Sequence, residues 1–279
     1  MIELPEAITL SRQITKELSG RRVVSALRGN APHKFAFYTQ DAEEYERILK
    51  GKVVGPAFEC GACFRIPLEP GYVLQLGGGG ERIHLHRDES SIPKKHQLLL
   101  GFDDGSHLSV TVQGWGSVQV YPADEPQHSM YPDIVRVMPT SEAFTLEHFL
   151  SLCDSVPAED PRSVKFLCIS RPSVWGVGNG CLHDILYLAG IHPRRRVVTL
   201  SDQEKHSLYK AIKKVIGEAV AAGGRDTEKD LYGNPGGYRP ILDRYAKDQP
   251  CPTCGTTVEA IAFLGGRSYL CPQCQPMQV

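Results

Sequence analysis

Residues 175–196 read Trp175-Gly176-Val177-Gly178-Asn179-Gly180, then an apolar run over 181–188, then Gly190-Ile191-His192-Pro193-Arg194-Arg195-Arg196. The pattern is a short helix bracketed by two glycine turns. A Gly-x-Gly-Asn turn that opens a helix exposes backbone amides with no partner in the first turn, and these suit a phosphate. Asn179 adds a side-chain donor. The same residues also make a tight turn with an asparagine cap, and both readings stand. Arg194, Arg195 and Arg196 are either a solvated patch or an attraction for phosphate beside that helix start.

Downstream lies Cys251-Pro252-Thr253-Cys254, then sixteen residues, then Cys271-Pro272-Gln273-Cys274. Each C-x-x-C lets two thiolates reach one ion from a tight turn. Two such knuckles supply the four sulfurs of a closed structural zinc site, so the expected cofactor is one Zn²⁺ on Cys251, Cys254, Cys271 and Cys274. Strands at 258–264 and 268–270 flank Gly265-Gly266 as a hairpin. Arg267, near its tip, either holds a phosphate or is solvated. Between the two motifs, a helix over 201–222 starts with the capping pair Ser201 and Glu204 and stops at Gly223-Gly224. A glycine-rich loop, 232–238, follows it.

Upstream, helices are expected at 141–153 and around 163–169. Four prolines (122, 126, 132 and 139) mark residues 122–139 as a linker. Before it, short β-rich segments at 53–58, 63–68, 72–76, 82–85, 97–102, 108–112 and 117–121 are punctuated by glycine turns, which argues for an antiparallel sandwich or barrel. Asp104-Gly105 joins two of them as a hairpin. Helices at 5–19 and 41–49 and strands at 22–27 and 34–38 complete the N-terminal part. The expected class is α+β: an N-terminal antiparallel β-sandwich with flanking helices, a helical domain and a zinc ribbon. The expected domains are 1–130, 131–245 and 246–279.

The whole chain has 279 residues and a formal net charge of -1. That excludes an obviously basic nucleic-acid binder, and the ordinary apolar fraction excludes an acidic disordered chain. Residues 1–150 carry -4 and residues 151–279 carry +3, so a polyanion would meet the second half. No apolar run approaches the roughly 18 residues of a membrane helix. The N-terminus has no secretion-signal pattern, so a cytoplasmic, nucleoid-associated protein is expected, and disulfides are not. Cys60 and Cys63 with His84 and His86 read either as a second metal site or as small buried cysteines beside edge-strand histidines, the latter being favoured.

Four features together resemble the formamidopyrimidine-DNA glycosylase and endonuclease VIII family of base-excision repair. They are Glu3-Leu4-Pro5-Glu6; Gly176-Val177-Gly178-Asn179 with Ala189-Gly190-Ile191-His192-Pro193; Gly236-Gly237-Tyr238; and the four cysteines followed by Gln275. They occur in the family's order over nearly the full length. The resemblance implies an enzyme that binds damaged duplex DNA as a monomer, flips the lesion nucleotide out and releases its base. An N-terminal proline amine attacks the sugar there, with glutamate handling protons and a lyase step following. It assigns the catalytic glutamate to Glu3, a second, ordering glutamate to Glu6, and phosphate contacts to Lys165, Asn179, Tyr238 and Arg267. Trp115 stands near the family's duplex wedge. Ile2 occupies the nucleophile's position, which leaves the Met1 amine as the substitute. The family's sandwich lysine falls near 61–63, where none stands, and its wedge methionine is replaced by Gly78. The alternative reading is a monofunctional or catalytically silent binder of damaged or distorted DNA.

Overall fold

The computed structural model describes residues 1–125, 136–170 and 174–277. It divides into two compact units, Met1–Ile134 with Ala222–Gly237, and Val135–Ala221 with Tyr238–Val279. The expected middle domain, 131–245, therefore gives up its segment 222–237 to the N-terminal unit. The core of the expected linker, 126–135, lies outside the described residues.

The N-terminal unit opens with α1 (Leu4–Leu18) and continues through β1 (Val23–Leu27), β2 (Ala36–Tyr38) and α2 (Ala42–Leu49). Eight strands follow: β3 (Val53–Val54), β4 (Phe58–Glu59), β5 (Cys63–Glu69), β6 (Tyr72–Gly77), β7 (Glu81–His86), β8 (Leu98–Phe102), β9 (His107–Val112) and β10 (Gly116–Pro122). They form a four-stranded sheet, β1-β8-β9-β7, and a six-stranded one, β2-β10-β6-β5-β3, with β4 added to β5. The expected single strand over 53–58 is broken at Gly55-Pro56, where the proline has no amide for a ladder. Alternation gives each strand one apolar face. Phe64, Ile66 and Leu68 of β5, Leu74 and Leu76 of β6, and Leu108 and Val110 of β9 join one buried core with Leu10, Ile14 and Leu18 of α1. The sandwich is antiparallel except for one pair, since β2 runs parallel to β10. No hairpin joins those two strands, so nothing imposes the antiparallel sense.

The sandwich also separates residues that the sequence pattern had placed together. His84 and His86 stand on β7 in the smaller sheet, whereas Cys63 begins β5 in the larger. Cys60 and Cys63 are bonded to each other as a disulfide, contrary to the expectation of free thiols. His86 is satisfied by the hydroxyls of Ser91 and Ser109 at 2.9 and 2.8 Å. Among the described residues the only group of three or more candidate metal ligands is the C-terminal cysteine cluster.

The second unit holds α3 (Leu146–Asp154), α4 (Val164–Ile169), α5 (Asn179–Ala189), α6 (Asp202–Ala221) and the hairpin of β11 (Glu259–Phe263) and β12 (Gly266–Leu270). Helix α3 starts later than expected because Thr145 caps it, accepting from His148 N at 3.2 Å. Helix α5 ends at Gly190, whose φ of +69° is the left-handed conformation glycine adopts without strain. No helix among the described residues is long and apolar enough to cross a membrane.

Candidate active site and nucleic-acid interface

Pro5 fixes the first turn of α1, and Glu3 and Glu6 close a capping box around it. Glu3 N donates to Glu6 Oε2 at 2.9 Å. The box buries both carboxylates, Glu3 to 1% exposure, and they meet one guanidinium. Arg225 donates from Nη1 to Glu3 Oε1 at 2.9 Å, from Nε to Glu6 Oε1 at 3.0 Å and from Nη2 to Glu6 Oε2 at 2.7 Å. It also donates from Nη2 to the carbonyl of Met1 at 2.6 Å. Burying an ionised carboxylate without compensation costs several kcal/mol, and the guanidinium offsets that cost for both groups.

The N-terminus itself is held on both sides. The Met1 amine donates to Glu228 Oε1 at 2.6 Å, and the second oxygen of Glu228 pairs with Arg82 of β7. Burial alone would raise the Glu228 carboxyl, but the Met1 ammonium, Arg225 and Arg82 outweigh it and hold it below the ordinary carboxylate range. Ile2 N donates to Gly79 O at 2.9 Å. The Ile2 side chain, 3% exposed, is part of the sandwich core. Ile2 thus serves packing, which corrects its place among the catalytic candidates.

The glycine run 77–80 passes close against the β9–β10 turn that carries Trp115. A Cβ on Gly80 would lie 1.8 Å from Gln113 O, so no side chain fits there. Buried Glu81 accepts from Gly79 N at 2.9 Å and Ser117 N at 2.7 Å, which ties the run to β10. Burial raises its carboxyl above the usual range. Trp115 itself is 47% exposed.

In the second unit Lys165, on α4, is 0% exposed. Its ammonium donates to Phe263 O at 2.7 Å and Ser268 Oγ at 3.0 Å, and burial pulls it below the ordinary lysine value. The hairpin that receives it also meets α5. A Cβ on Gly266 would come 3.4 Å from Asn179 Nδ2. His183 lies at 3.1 Å from Arg267 O. The Oδ1 of Asn179 is buried with no hydrogen-bond partner. The fold therefore gathers Lys165, Asn179 and Arg267 around one hairpin. Tyr238 does not join them as a phosphate donor: its hydroxyl is buried and donates to Asp184 Oδ2 at 2.8 Å. Packing is the role its contacts support. Asp184 also accepts from Ile241 N and Leu242 N, each at 2.8 Å. Burial nevertheless pushes its carboxyl up to about 6.

The sulfurs of Cys251, Cys254, Cys271 and Cys274 lie within 4.8 Å of one another. Three of the pairs are 3.8, 3.5 and 3.5 Å apart. A tetrahedral zinc with Zn–S bonds of about 2.3 Å needs sulfurs about 3.8 Å apart. The four cysteines thus fit one structural zinc. Tyr187 of α5 brings its hydroxyl to 3.1 Å from Cys251 Sγ. Gln275 receives Cys271 N and donates to Ile191 O, each at 3.0 Å, which joins the finger to the turn after α5.

Sequence reading missed Arg225, Glu228, Arg82 and Glu81. The first two sit just after the Gly223-Gly224 stop, and no local pattern links them to a partner more than 200 residues away.

Two family models match: the formamidopyrimidine-DNA glycosylase H2TH domain over residues 136–230, and the zinc finger found in FPG and IleRS over 248–276. The chain is 30% identical over 282 residues to the formamidopyrimidine-DNA glycosylase of Shouchella clausii (strain KSM-K16), covering 99% of each. It is 29% identical to that of Legionella pneumophila (strain Paris), again covering 99% of each. The fold is similar to Lactococcus lactis Fpg solved with abasic-site DNA, at a TM-score of 0.85 and 21% identity, over 99% of this chain and 100% of that one. It is also similar to Lactococcus lactis Fpg in complex with an oxidized-pyrimidine DNA, at a TM-score of 0.84 and 22% identity. The chain belongs to the formamidopyrimidine-DNA glycosylase family.

Proposed function

We propose that the protein is a base-excision-repair DNA glycosylase that binds damaged duplex DNA, extrudes the lesion nucleotide and releases its base. The observation that carries this reading is the end-to-end correspondence with formamidopyrimidine-DNA glycosylases, at 99% coverage of both chains. Glu3 is the acting carboxylate in this reading, supported by its fixed place at the start of α1. Lys165, Asn179 and Arg267 form the phosphate-gripping side. Lys165 acts there through the hairpin it supports, because its own ammonium is spent on that hairpin. Trp115 is the wedge that fills the gap left by an extruded base, which its exposure permits. The protein works as a monomer in the compartment that holds the DNA.

The test uses duplexes carrying a formamidopyrimidine, an oxidised pyrimidine or an abasic site, beside an undamaged duplex at the same salt. The expected result is base release from at least one lesion and tighter binding of the abasic duplex than of the undamaged one. Equal affinity for all four duplexes with no base released would overturn the reading.

A further inference from the structure

We infer that the β2 edge of the six-stranded sheet is a docking surface for an unpaired DNA strand, whose bases stack on Phe35 and Phe37 and whose phosphates lie among nearby cations. The inference rests on the glycosylase reading above, which makes DNA the polyanion within reach. Phe35 and Phe37 are 49% and 54% exposed. Strand alternation puts them on one face and turns Ala36, between them, to the other. β2 is the last strand of its sheet, and its register on β10 sets Ala36 against Gly116. Gly116 N donates to Phe35 O at 3.0 Å. The backbone of Trp115 therefore lies beside that of Phe35, and Trp115 is also about half exposed. Single exposed aromatics are ordinary, but three from adjoining backbone make a patch of the kind that marks a binding surface.

The charge around this edge selects its occupant. The Lys34 ammonium stands 5.5 Å from the centre of the Phe35 ring, and the Arg28 guanidinium 4.4 Å from that of Tyr38. A second loop supplies Lys94 and Lys95, both exposed. Asn30 staples that loop to the one leading into β2: its Nδ2 donates to Lys94 O at 2.8 Å, and its Oδ1 accepts from His96 N at 3.0 Å. Tyr38 of β2 adds a bond from its hydroxyl to Gln97 O at 3.2 Å. Among the described residues no carboxylate forms an ion pair with any of these four cations. The acidic residues that follow β2 are occupied: Asp41 Oδ1 accepts from Glu44 N at 3.0 Å, and Glu44 pairs with Arg47. Cations without carboxylate partners attract phosphates. An exposed ring takes the face of a base only when that base has left its partner, since an intact duplex offers base edges alone. The combination fits a single strand. A second copy of this chain on the same edge would bring these cations against their like.

Fluorescence anisotropy with two labelled probes tests this surface. One probe is a short thymidine oligomer without any lesion, and the other is a fully paired duplex with one abasic site. Wild type, Phe35→Ser/Phe37→Ser and Lys34→Gln/Lys94→Gln are titrated with each across a salt series. Wild type is expected to bind the oligomer. The phenylalanine variant should bind it at least tenfold more weakly, the scale of one lost base–ring stack, with its salt dependence unchanged. The lysine variant should flatten the slope of log affinity against log salt by about 1.4, at roughly 0.7 for each phosphate contact on a single strand. Both variants should hold the abasic duplex within about threefold of wild type. No oligomer binding by wild type, or undiminished binding by the phenylalanine variant, overturns the inference. Equal losses on oligomer and duplex also overturn it, because the edge would then belong to the duplex site. A wild-type dimer in sedimentation that the phenylalanine variant dissolves would make a second copy the occupant and overturn it too. If the phenylalanine variant does not fold, the slope of the lysine variant decides, and an unchanged slope rejects the surface. Failure of wild type to bind the abasic duplex would contradict the glycosylase reading, while the oligomer series still reads the surface.

Discussion

Two sites, one in each unit, bury charge in opposite ways. At the N-terminus, Arg225 and the Met1 amine meet Glu3, Glu6 and Glu228, so each carboxylate of that cluster faces a cation. In the second unit, Lys165 meets a carbonyl and a hydroxyl, and Asp184 meets two amides and a tyrosine hydroxyl. The consequences diverge. Glu228 is held below its ordinary value, whereas Asp184 is pushed up to about 6 and Lys165 down. Burial shifts ions paired only with dipoles toward their neutral form, while pairing with an opposite charge offsets that shift. The first arrangement suits a site whose protonation must stay fixed. The second suits a scaffold that orients a hairpin.

The largest effect comes from breaking the support of the second arrangement. The acceptors of Lys165 belong to the finger hairpin, and that hairpin depends on the four thiolates. Chelation should release one zinc per chain and unfold residues 248–276, at an apparent scale of about 10 kcal/mol for zinc-finger sites. Circular dichroism with thiol titration checks it. A finger that stays folded after the metal is removed would break this dependence.

Arg225→Met attacks the first arrangement. It strands Glu3 and Glu6 without a cation and should cost about 3–5 kcal/mol in chemical denaturation. A loss under about 1 kcal/mol would mean that the cluster is solvated and that the contrast between the units fails.

pH separates the two arrangements by sign. Asp184 has a raised folded value, so between about pH 4 and 6 the folded chain binds the extra proton. Its contribution to stability therefore falls as pH rises through that window, by up to about 3 kcal/mol. Glu228 has a lowered folded value, so its contribution is present above the ordinary carboxylate range and is lost as pH falls below it. Urea denaturation of wild type, Asp184→Asn and E228Q at pH 3–7 reads both slopes. The first variant should flatten the slope between pH 4 and 6 and the second the acid-side slope. The same slope in all three would erase the distinction.

The smallest effect is expected from Lys165→Met. Removing an ion paired only with dipoles relieves its burial cost while leaving two acceptors unsatisfied, so the net change should stay within about 1 kcal/mol. A loss like that of R225M would show that the two arrangements are energetically alike.

Local patterns carried much of the fold. The start of α1 within a residue of Pro5, the strands β5 and β6, the turn at Gly190 and the cysteine spacing each depend on short-range patterns, and each is where it was expected. What the sequence hid acts over long separations. Nothing near Arg225 or Glu228 signals that they face residues 1–6. The placement of β7 in the other sheet from β5 depends on strand exchange across the sandwich, and it undid the grouping of Cys60 and Cys63 with His84 and His86. The hydroxyl of Tyr238 could be assigned only once Asp184 was seen beneath it.

The most direct measurement is single-turnover base release by Glu3→Gln, with abasic-duplex affinity measured on the same preparation. Since a positioned proton-handling group is worth about 10²–10⁴ in rate, release should fall at least a hundredfold while affinity stays within a few-fold of wild type. Release at the wild-type rate with affinity unchanged would contradict the assignment of Glu3 as the acting carboxylate.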